Sequence, residues 1–562
     1  MKNRYIVVAE KPSVAKAIKR VLNQIDSKVF ITSLKGHLMD SNLPQGFEWG
    51  KVDPKEILNL RKIPMIIKDV KKYRELKKVL ESVKGELVIA TDNDPEGELI
   101  GYEILRVKKS IKEESKVLRM RFNSVDEAEI LKAWNNLEEG LKWRWVYKAL
   151  FRQIFDLITG FAFTRLLTSL TNKLISWGSC QTPTLYFIVE REREIMNFKP
   201  KKFWFIEAIL EHNLSVRSEI FYEKEEAEMA YKIVKNAHYA SISSYSEFKS
   251  VVKRPLPLIT DDLLRDFVKI SRITSAKVLN LAEELYSNGY ISYPRTETNI
   301  YYEGFDFEKC LKAILSSKLG EEVTHKIEKL APLNGKLDDK AHPPIHPLKP
   351  YPMDKSLKWK LWEYVARRFL ANAYCKNALK LFQRIELIIE GINFFTEGSY
   401  FLEEGFYKVF YYFKPNEKPL PKLKEGKIIR VIEIELKEGI TKPPSRMKES
   451  ELLSAMIKNN IGTDATRAIF PQLIVKRGYA LRSDVFIPTK LGMRFIEVLE
   501  KVDKKLVTPE TRRFVEELMN RIEGGEIGMN EALDKSLNLY KELYLKCESM
   551  KDEIKSGFLS CL

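Results

Sequence analysis

The chain has 562 residues, 44% of them hydrophobic and 31% charged, and its 95 Lys and Arg against 78 Asp and Glu leave a formal net charge of +17. That length provides for about four domains, each with a core of its own, and the composition excludes a disordered, collagen-like or low-complexity chain. Positive charge spread over the whole sequence predicts a polyanionic partner, nucleic acid rather than a membrane, since no basic amphipathic anchor stands out; a basic but ordinary enzyme is the alternative.

The first residues, Met1-Lys2-Asn3-Arg4, lead straight into the strand-like run Tyr5 to Ala9, with no signal-peptide core. Apolar runs such as this one and Leu87 to Ala90 are short against the ~20 residues that cross a bilayer. A cytoplasmic protein, nucleoid-associated in a prokaryote, is expected. Tyr5 to Ala9 reads as a buried strand, Glu10-Lys11-Pro12 as a turn, and Ser13 as the cap of a helix through Asn23. A second buried strand, Glu86 to Thr91, runs into the acidic loop Asp92 to Glu98 and a helix from about Leu99. Two such βα units describe an open α/β sheet whose ligands sit at the carboxyl ends of its strands.

Helical patterns follow at Trp143 to Leu170 and Thr184 to Met196. Residues 201–255 and 378–437 alternate β-branched and aromatic residues as strands do, and a helical block at about 259–374 separates them. One β-rich element split by an insertion is therefore expected. Within the block, Val278, Leu281, Ala282, Leu285 and Tyr286 share one helix face that ends at Gly289, followed by a strand over Tyr290 to Ser292. A second copy of this arrangement has helices at Glu449 to Asn459 and Asp464 to Lys476, then a hairpin, Tyr479 to Leu481 with Val485 to Ile487. Helix, turn, helix, hairpin is the winged-helix order, used on DNA and also as a plain packing unit. The five cysteines, Cys180, Cys310, Cys375, Cys547 and Cys561, never fall as CxxC, so neither a disulfide framework nor a zinc ribbon is expected.

Four carboxylates stand in the seven residues Asp92-Asn93-Asp94-Pro95-Glu96-Gly97-Glu98. Directly after a buried strand they can converge on a hard cation such as Mg²⁺; a solvated acidic loop that favours the next helix N-terminus is the bland alternative. Glu10 adds a carboxylate to the same crevice and Lys11 a cation for phosphate. No GxxxxGK[ST] loop occurs, which disfavours an ATP-driven motor. In Ile291-Ser292-Tyr293-Pro294-Arg295-Thr296-Glu297-Thr298, Pro294 keeps Tyr293 extended, and a period of two puts the Tyr293 phenol and Arg295 guanidinium on one side. Tyr290 reads as packing.

Several segments together resemble the type IA DNA topoisomerases, their topoisomerase III branch in particular. Val8-Ala9-Glu10-Lys11-Pro12-Ser13 and Asp92-x-Asp94-x-Glu96-Gly97-Glu98 resemble the two halves of a Toprim fold, and Tyr290 to Thr298 the active-site tyrosine motif. Gly178 to Leu185, Ala341-His342-Pro343-Pro344-Ile345 and Ile461-Gly462-Thr463-Asp464-Ala465-Thr466-Arg467 fall in the family's order, and the likeness spans about residues 4 to 525. The resemblance implies Tyr293 as the nucleophile joined to a 5′-phosphate. It implies Arg295 and Lys11 as its electrostatic support, Glu10 as a proton carrier, and Asp92, Asp94 and Glu96, with Glu10, as Mg²⁺ ligands. It places Arg165, Arg152, Gln181, Thr182 and Thr184 along a single-stranded DNA path, His342 near the tyrosine, and Thr463, Thr466 and Arg467 in the groove.

The implied fold is a multidomain α/β plus α+β toroid with winged-helix-like modules. It comprises a Toprim domain at 1–150, a groove domain at 151–200 and 440–545, a β-rich hinge at 201–258 and 375–439, and a tyrosine domain at 259–374. A tail at 546–562 lacks the family's zinc ribbons, and Pro95 replaces the usual Arg of the acidic loop. The implied protein is an ATP-independent, monomeric enzyme that relaxes negative supercoils and decatenates DNA with single-stranded regions, with a helicase as a partner the family allows. A Toprim nuclease or primase, and a non-enzymatic winged-helix DNA-binding protein, are the rival readings.

Overall fold

The computed structural model describes residues 4–25, 28–111, 115–463 and 466–559. Its first unit is a sheet built from β1 (Tyr5–Ala9), α1 (Pro12–Leu22), β2 (Val29–Ser33), β3 (Glu86–Ala90), α2 (Pro95–Ser110), β4 (Val117–Arg119) and β5 (Glu138–Glu139). The strand order is β2-β1-β3-β4-β5, parallel except for β5, with Tyr5 opposite both Val29 and Glu86. Alternate residues of β1 enter different cores: Val7 and Ala9 pack with Val14 and Ile18 of α1, Ile6 and Val8 with Ile100 and Ile104 of α2. Helices on both faces are why these strands read as continuous apolar runs.

Two helix starts differ from expectation. α1 begins at Pro12, whose ring pre-sets the helical φ, and Lys11 takes the cap position without a side-chain bond; Ser13 caps nothing. α2 begins at Pro95 rather than near Leu99, because the Asp94 carboxylate accepts the Gly97 N–H at 2.6 Å and closes the loop there. Glu96 and Glu98 therefore lie in the first helical turn, and Lys108 and Lys109 in the last, both favourable to the helix dipole.

The 29-residue α3 (Trp143–Thr171) crosses the boundary expected at 150. By length and composition it is the one described helix that meets a membrane-spanning criterion, yet half of that apolar window is buried, among Phe151, Ile158, Phe163 and the late helices. It is a core helix. α4 (Gln181–Asn197) starts three residues before the expected Thr184.

A closed six-stranded barrel comes next, its strands drawn from two distant stretches. β6 (Lys202–Leu210), β7 (Leu214–Ser218) and β8 (Tyr239–Val252) precede α5 (Thr260–Ser271), α6 (Ser275–Ser287) and α7 (Leu357–Ala373). Then β9 (Ala378–Ile389), β10 (Ile392–Glu403) and β11 (Ile428–Ile440) complete the order β8-β9-β10-β7-β6-β11 around Ile206, Val216, Ile385 and Phe394. Tyr290 to Ser292 form no strand. Ile291 makes an isolated bridge to Pro347, since Pro294 and Pro343-Pro344 lack the N–H groups a ladder requires.

The last part holds α8 (Glu449–Lys458), α9 (Phe470–Lys476), the hairpin β12 (Ala480–Arg482) and β13 (Phe486–Pro488), α10 (Glu510–Gly524) and α11 (Met529–Ser549). Of the helix expected at Asp464, residues 464 and 465 lie outside the described residues; Thr466 to Ile469 form turns and the regular helix starts at Phe470. α11 crosses the boundary expected at 545, and a further helix, Lys551–Leu559, buries Ile554 and Phe558 in the α3 core. Of the cysteines, Cys180, Cys310, Cys375 and Cys547 are buried thiols, and Cys561 lies outside the described residues. One continuous core joins the sheet to the tyrosine-bearing segment: Val7, Ala9, Val88 and Ala90 share it with Leu263, Phe267, Ile291, Tyr293 and Trp362.

Candidate active site

β1 and β3 are neighbours in register, Ala9 beside Ala90, so the residues after each strand enter one crevice. The Asp92 N–H donates to Glu10 Oε2 at 3.1 Å. Lys11 Nζ lies 3.2 Å from Asp92 Oδ2, 3.6 Å from Glu10 Oε1 and 3.9 Å from Glu283 Oε2. α6 and the segment after it close the crevice. Tyr286 donates its phenol to Asp92 Oδ1 at 3.2 Å, and Tyr293 donates to Asp94 Oδ2 at 2.6 Å. Arg295 pairs with Glu283, and the Tyr293 ring sits 4.8 Å from His342 and 5.1 Å from Tyr286. Tyr293 is 2% exposed, and its N–H is tied to the Asn123 carbonyl at 2.9 Å.

Burial dominates the electrostatics. It raises the Glu10 carboxyl to about 7, aided by the Asp92 and Asp94 charges and opposed by Lys11. Burial and Asp94 push the Tyr293 phenol well above its usual range, so the nucleophilic form is strongly disfavoured while Asp94 holds the proton-bearing oxygen. Glu96 behaves oppositely: burial alone would raise it, but Arg152 at 2.5 Å and His37 at 3.3 Å outweigh that and hold it down at about 2. Burial likewise opposes protonation of His37, yet hydrogen bonds to Glu103 and Glu96 push it up to about 10.

Glu10, Asp92 and Asp94 offer only oxygen donors, the first two against Lys11, and their chemistry fits a hard divalent ion. Among the described residues no three acidic, histidine or cysteine side chains already stand as a ligand set. The aspartate oxygens are engaged instead by Tyr286, Lys11, Tyr293 and the Gly97 N–H. Glu96 turns aside to His37 and Arg152.

Behind the acidic loop lies a fully buried ion pair. Arg119 Nε donates to Glu98 Oε1 at 2.9 Å, and the rest of its guanidinium bonds the carbonyls of Ile89, Thr91, Asp92 and Met120. Arg121 and the Lys142 N–H share the same Glu98 carboxylate. This network fixes the strand end from which Asp92 and Asp94 project.

A cavity of about 700 Å³ opens beside Asp94, lined among others by Glu96, Arg152, Arg295, His342, Thr463 and Arg467. Arg467 bonds the Ile461 and Gly462 carbonyls and pairs with Asp261 of α5, while the Thr466 hydroxyl accepts the Thr463 N–H. His342 is fixed through Asp339. Arg165, Gln181, Thr182 and Thr184 lie elsewhere, buried and engaged with backbone. Arg165 donates to the Phe47 and Glu48 carbonyls against the Trp49 and Phe161 rings, and Gln181 donates to Ser176 O. Thr182 accepts from the Gly178 N–H, and Thr184 donates to Cys180 O. Sequence reasoning missed Glu283, His37 and Arg119, read Tyr286 only as part of an apolar helix face, and counted Glu98 among the metal-facing acids, although the structure pairs it with Arg119. For His37 a signal existed: it follows β2 closely, at the carboxyl edge of a parallel sheet.

Comparison with known proteins decides the family. A family model described as DNA topoisomerase matches residues 141–534, and the Toprim domain model matches 5–125. The chain belongs to the type IA DNA topoisomerases. DNA topoisomerase 1 of Archaeoglobus fulgidus is 31% identical over 96% of this chain and 83% of its own. DNA topoisomerase 3 of Candidozyma auris is 30% identical over 99% of this chain and 96% of its own. The solved full-length topoisomerase I of Thermotoga maritima shares the fold, with a TM-score of 0.77 at 22% identity over 98% of this chain and 90% of that one. This topoisomerase is therefore an isomerase acting on DNA topology, and Toprim domains such as its first unit typically bind Mg²⁺. Its crevice, where a phenol, a guanidinium and three carboxylates converge, lies where the Toprim unit meets the tyrosine-bearing segment.

Proposed function

We propose that this topoisomerase, of the topoisomerase III branch, cuts one DNA strand by attack of Tyr293 Oη on a backbone phosphorus. The bond from phosphorus to the 3′-oxygen breaks, the 5′-phosphate becomes joined to tyrosine, and reversal reseals the strand after another has passed. The observation that carries this reading is the Tyr293–Asp94 contact at 2.6 Å beside two buried nitrogens, Arg295 Nε and His342 Nε2, that have no partner among the described residues. A buried guanidinium N–H left unbonded costs about 1–3 kcal/mol, and a phosphate oxygen next to Tyr293 relieves it. Arg295 and Lys11 then face the charge that builds on the phosphate, and Glu10, poised near 7, carries the proton to the leaving 3′-oxygen. Asp94 receives or orients the Tyr293 proton. Glu10, Asp92 and Asp94 would hold Mg²⁺, which supplies charge neutralisation for the phosphate when bound; Glu96 instead anchors Arg152 at the cavity wall.

Exchange of a phosphodiester for a phosphotyrosine conserves the bond energy, in keeping with the absence of a P-loop motif. The substrate is DNA with single-stranded regions, because only an unpaired strand brings one phosphate into a buried crevice. The enzyme works as a monomer at the nucleoid, where a helicase is a natural source of single strands. Relaxation of negatively supercoiled plasmid tests the reading: activity without nucleotide, lost in Tyr293→Phe and on chelation of divalent cations, is expected. Relaxation by Tyr293→Phe at the wild-type rate would remove Tyr293 from the reaction.

A further inference from the structure

The cavity beside Asp94 extends well beyond the residues discussed so far. On α3, Trp145, Lys148 and Arg152 stand at i, i+3 and i+7 and line it together; Asn520 and Glu523 of α10 line the opposite wall. With a 1.5 Å rise per residue, Trp145 lies about 10 Å along the helix from Arg152 and thus from the acidic loop. Lys148 Nζ meets Glu523 Oε2 at 2.5 Å, and the Lys142 ammonium stands 4.3 Å from the centre of the Trp145 ring. Trp145 is half-buried and Asn520 exposed.

The Lys148–Glu523 pair differs in kind from Arg119–Glu98. The latter is wholly buried, whereas Lys148 and Glu523 keep 16% and 32% of their side-chain exposure at the cavity wall. A pair that solvent still reaches is held less firmly than a wholly buried one, so another anion exchanges with its carboxylate more readily. An indole beside two lysines in a cleft that leads to a phosphate-handling site has the composition of a single-strand platform: π-face for a base, ammonium for the adjoining phosphate. We infer that Trp145 and Lys148 form a nucleotide subsite, with the base stacked on Trp145 and its phosphate on Lys148, where the Glu523 carboxylate is the placeholder that DNA displaces. This rests on the proposed function, in which a single DNA strand enters the crevice at Tyr293.

The test uses the full chain and a fluorescein-labelled 12-residue oligothymidylate, with anisotropy titrations at several salt concentrations. Trp145→Ala weakens binding by about fivefold or more, the effect of losing one base–aromatic stack, and Trp145→Phe restores most of it. Glu523→Gln tightens binding and steepens the fall of affinity with salt, by up to about 0.7 in the log–log slope, because Lys148 no longer exchanges one anion for another. A gain of affinity is not an effect that loss of folding produces. Wild-type binding by Trp145→Ala, or weakened binding by Glu523→Gln, overturns the subsite while leaving the Tyr293 chemistry standing. Failure of the wild-type protein to bind the oligonucleotide or to relax plasmid overturns both.

Discussion

Alanine at Gly97 perturbs the acidic loop without replacing any of its acids. A Cβ there stands 1.9 Å from the Asp92 carbonyl oxygen and 2.8 Å from its carbon, where real contacts begin near 3.0 Å, so strand end and helix must part by about 1 Å. Neither side moves freely. The Asp92 carbonyl is bonded by Arg119 Nη2 at 2.8 Å, the Gly97 N–H by Asp94 at 2.6 Å, and the Gly97 carbonyl by the Thr91 hydroxyl at 2.7 Å. Overpacking of this kind costs about 1–3 kcal/mol of stability, and a 1 Å misplacement of catalytic groups costs about 100-fold in rate. The assay is single-turnover formation of the covalent complex at saturating labelled oligonucleotide, with affinity measured separately by anisotropy. We expect cleavage slowed by about two orders of magnitude at nearly unchanged affinity. A Gly97→Ala enzyme that cleaves at the wild-type rate would refute the claim that the Glu98–Arg119 scaffold sets the position of Asp92 and Asp94.

Pro95 occupies the first helical position at the cavity wall, where the family resemblance leads one to expect Arg; Pro95→Arg should preserve cleavage, because Asp94 still caps the helix, and abolished cleavage would contradict that. Glu98→Leu leaves Arg119 buried without its carboxylate and should destabilise the Toprim unit by about 3–5 kcal/mol, read as a lower urea midpoint; an unchanged midpoint would show the pair to be dispensable. His346 is buried, donates Nδ1–H to the Pro344 carbonyl at 2.7 Å, and is pushed down to about 4 by burial. The unfolded chain protonates this histidine near 6.5, before the folded one does, so its contribution is complete above that pH and fades as pH falls towards 4, by up to about 3 kcal/mol. The stability gap between wild type and His346→Gln should therefore narrow from pH 7.5 to 5; a gap independent of pH would count against a neutral buried imidazole.

Elements whose burial follows a simple pattern were the most legible. β1 and β3 announced themselves as unbroken apolar runs, and α6 through its 3.6-residue stripe, because in each case burial alone decides the pattern. The barrel strands were legible as strands but not as a closed barrel: alternation shows which face is buried, not that β8 pairs with β9 across more than a hundred residues. The strand expected at Tyr290 failed on chemistry already visible in the chain, since nearby prolines remove ladder donors. So did the late helix start at Leu99, as Asp94 before Pro95 is a cap followed by a favoured first helical residue. The tyrosine, Asp92, Asp94, Glu10, Lys11 and Arg295 share one crevice, whereas the loop acids Glu96 and Glu98, expected with them, turn away to His37 and Arg152 and to Arg119. Their partners Glu283 and Tyr286 were invisible, because α6 looks like any amphipathic helix until its far end meets Asp92. For Thr182 and Thr184 a hydroxyl that bonds its own helix and one that awaits a ligand look identical in sequence, and in the structure both serve the backbone.

The central claim is that Tyr293 becomes covalently joined to DNA. Incubation with a 3′-end-labelled single-stranded oligonucleotide, quenching with detergent and peptide mapping of the labelled protein tests it most directly. Label is expected on the peptide containing Tyr293, through a 5′-phosphate, and none with Tyr293→Phe; DNA cut without an adduct, or an adduct that persists in Tyr293→Phe, would contradict the role of Tyr293.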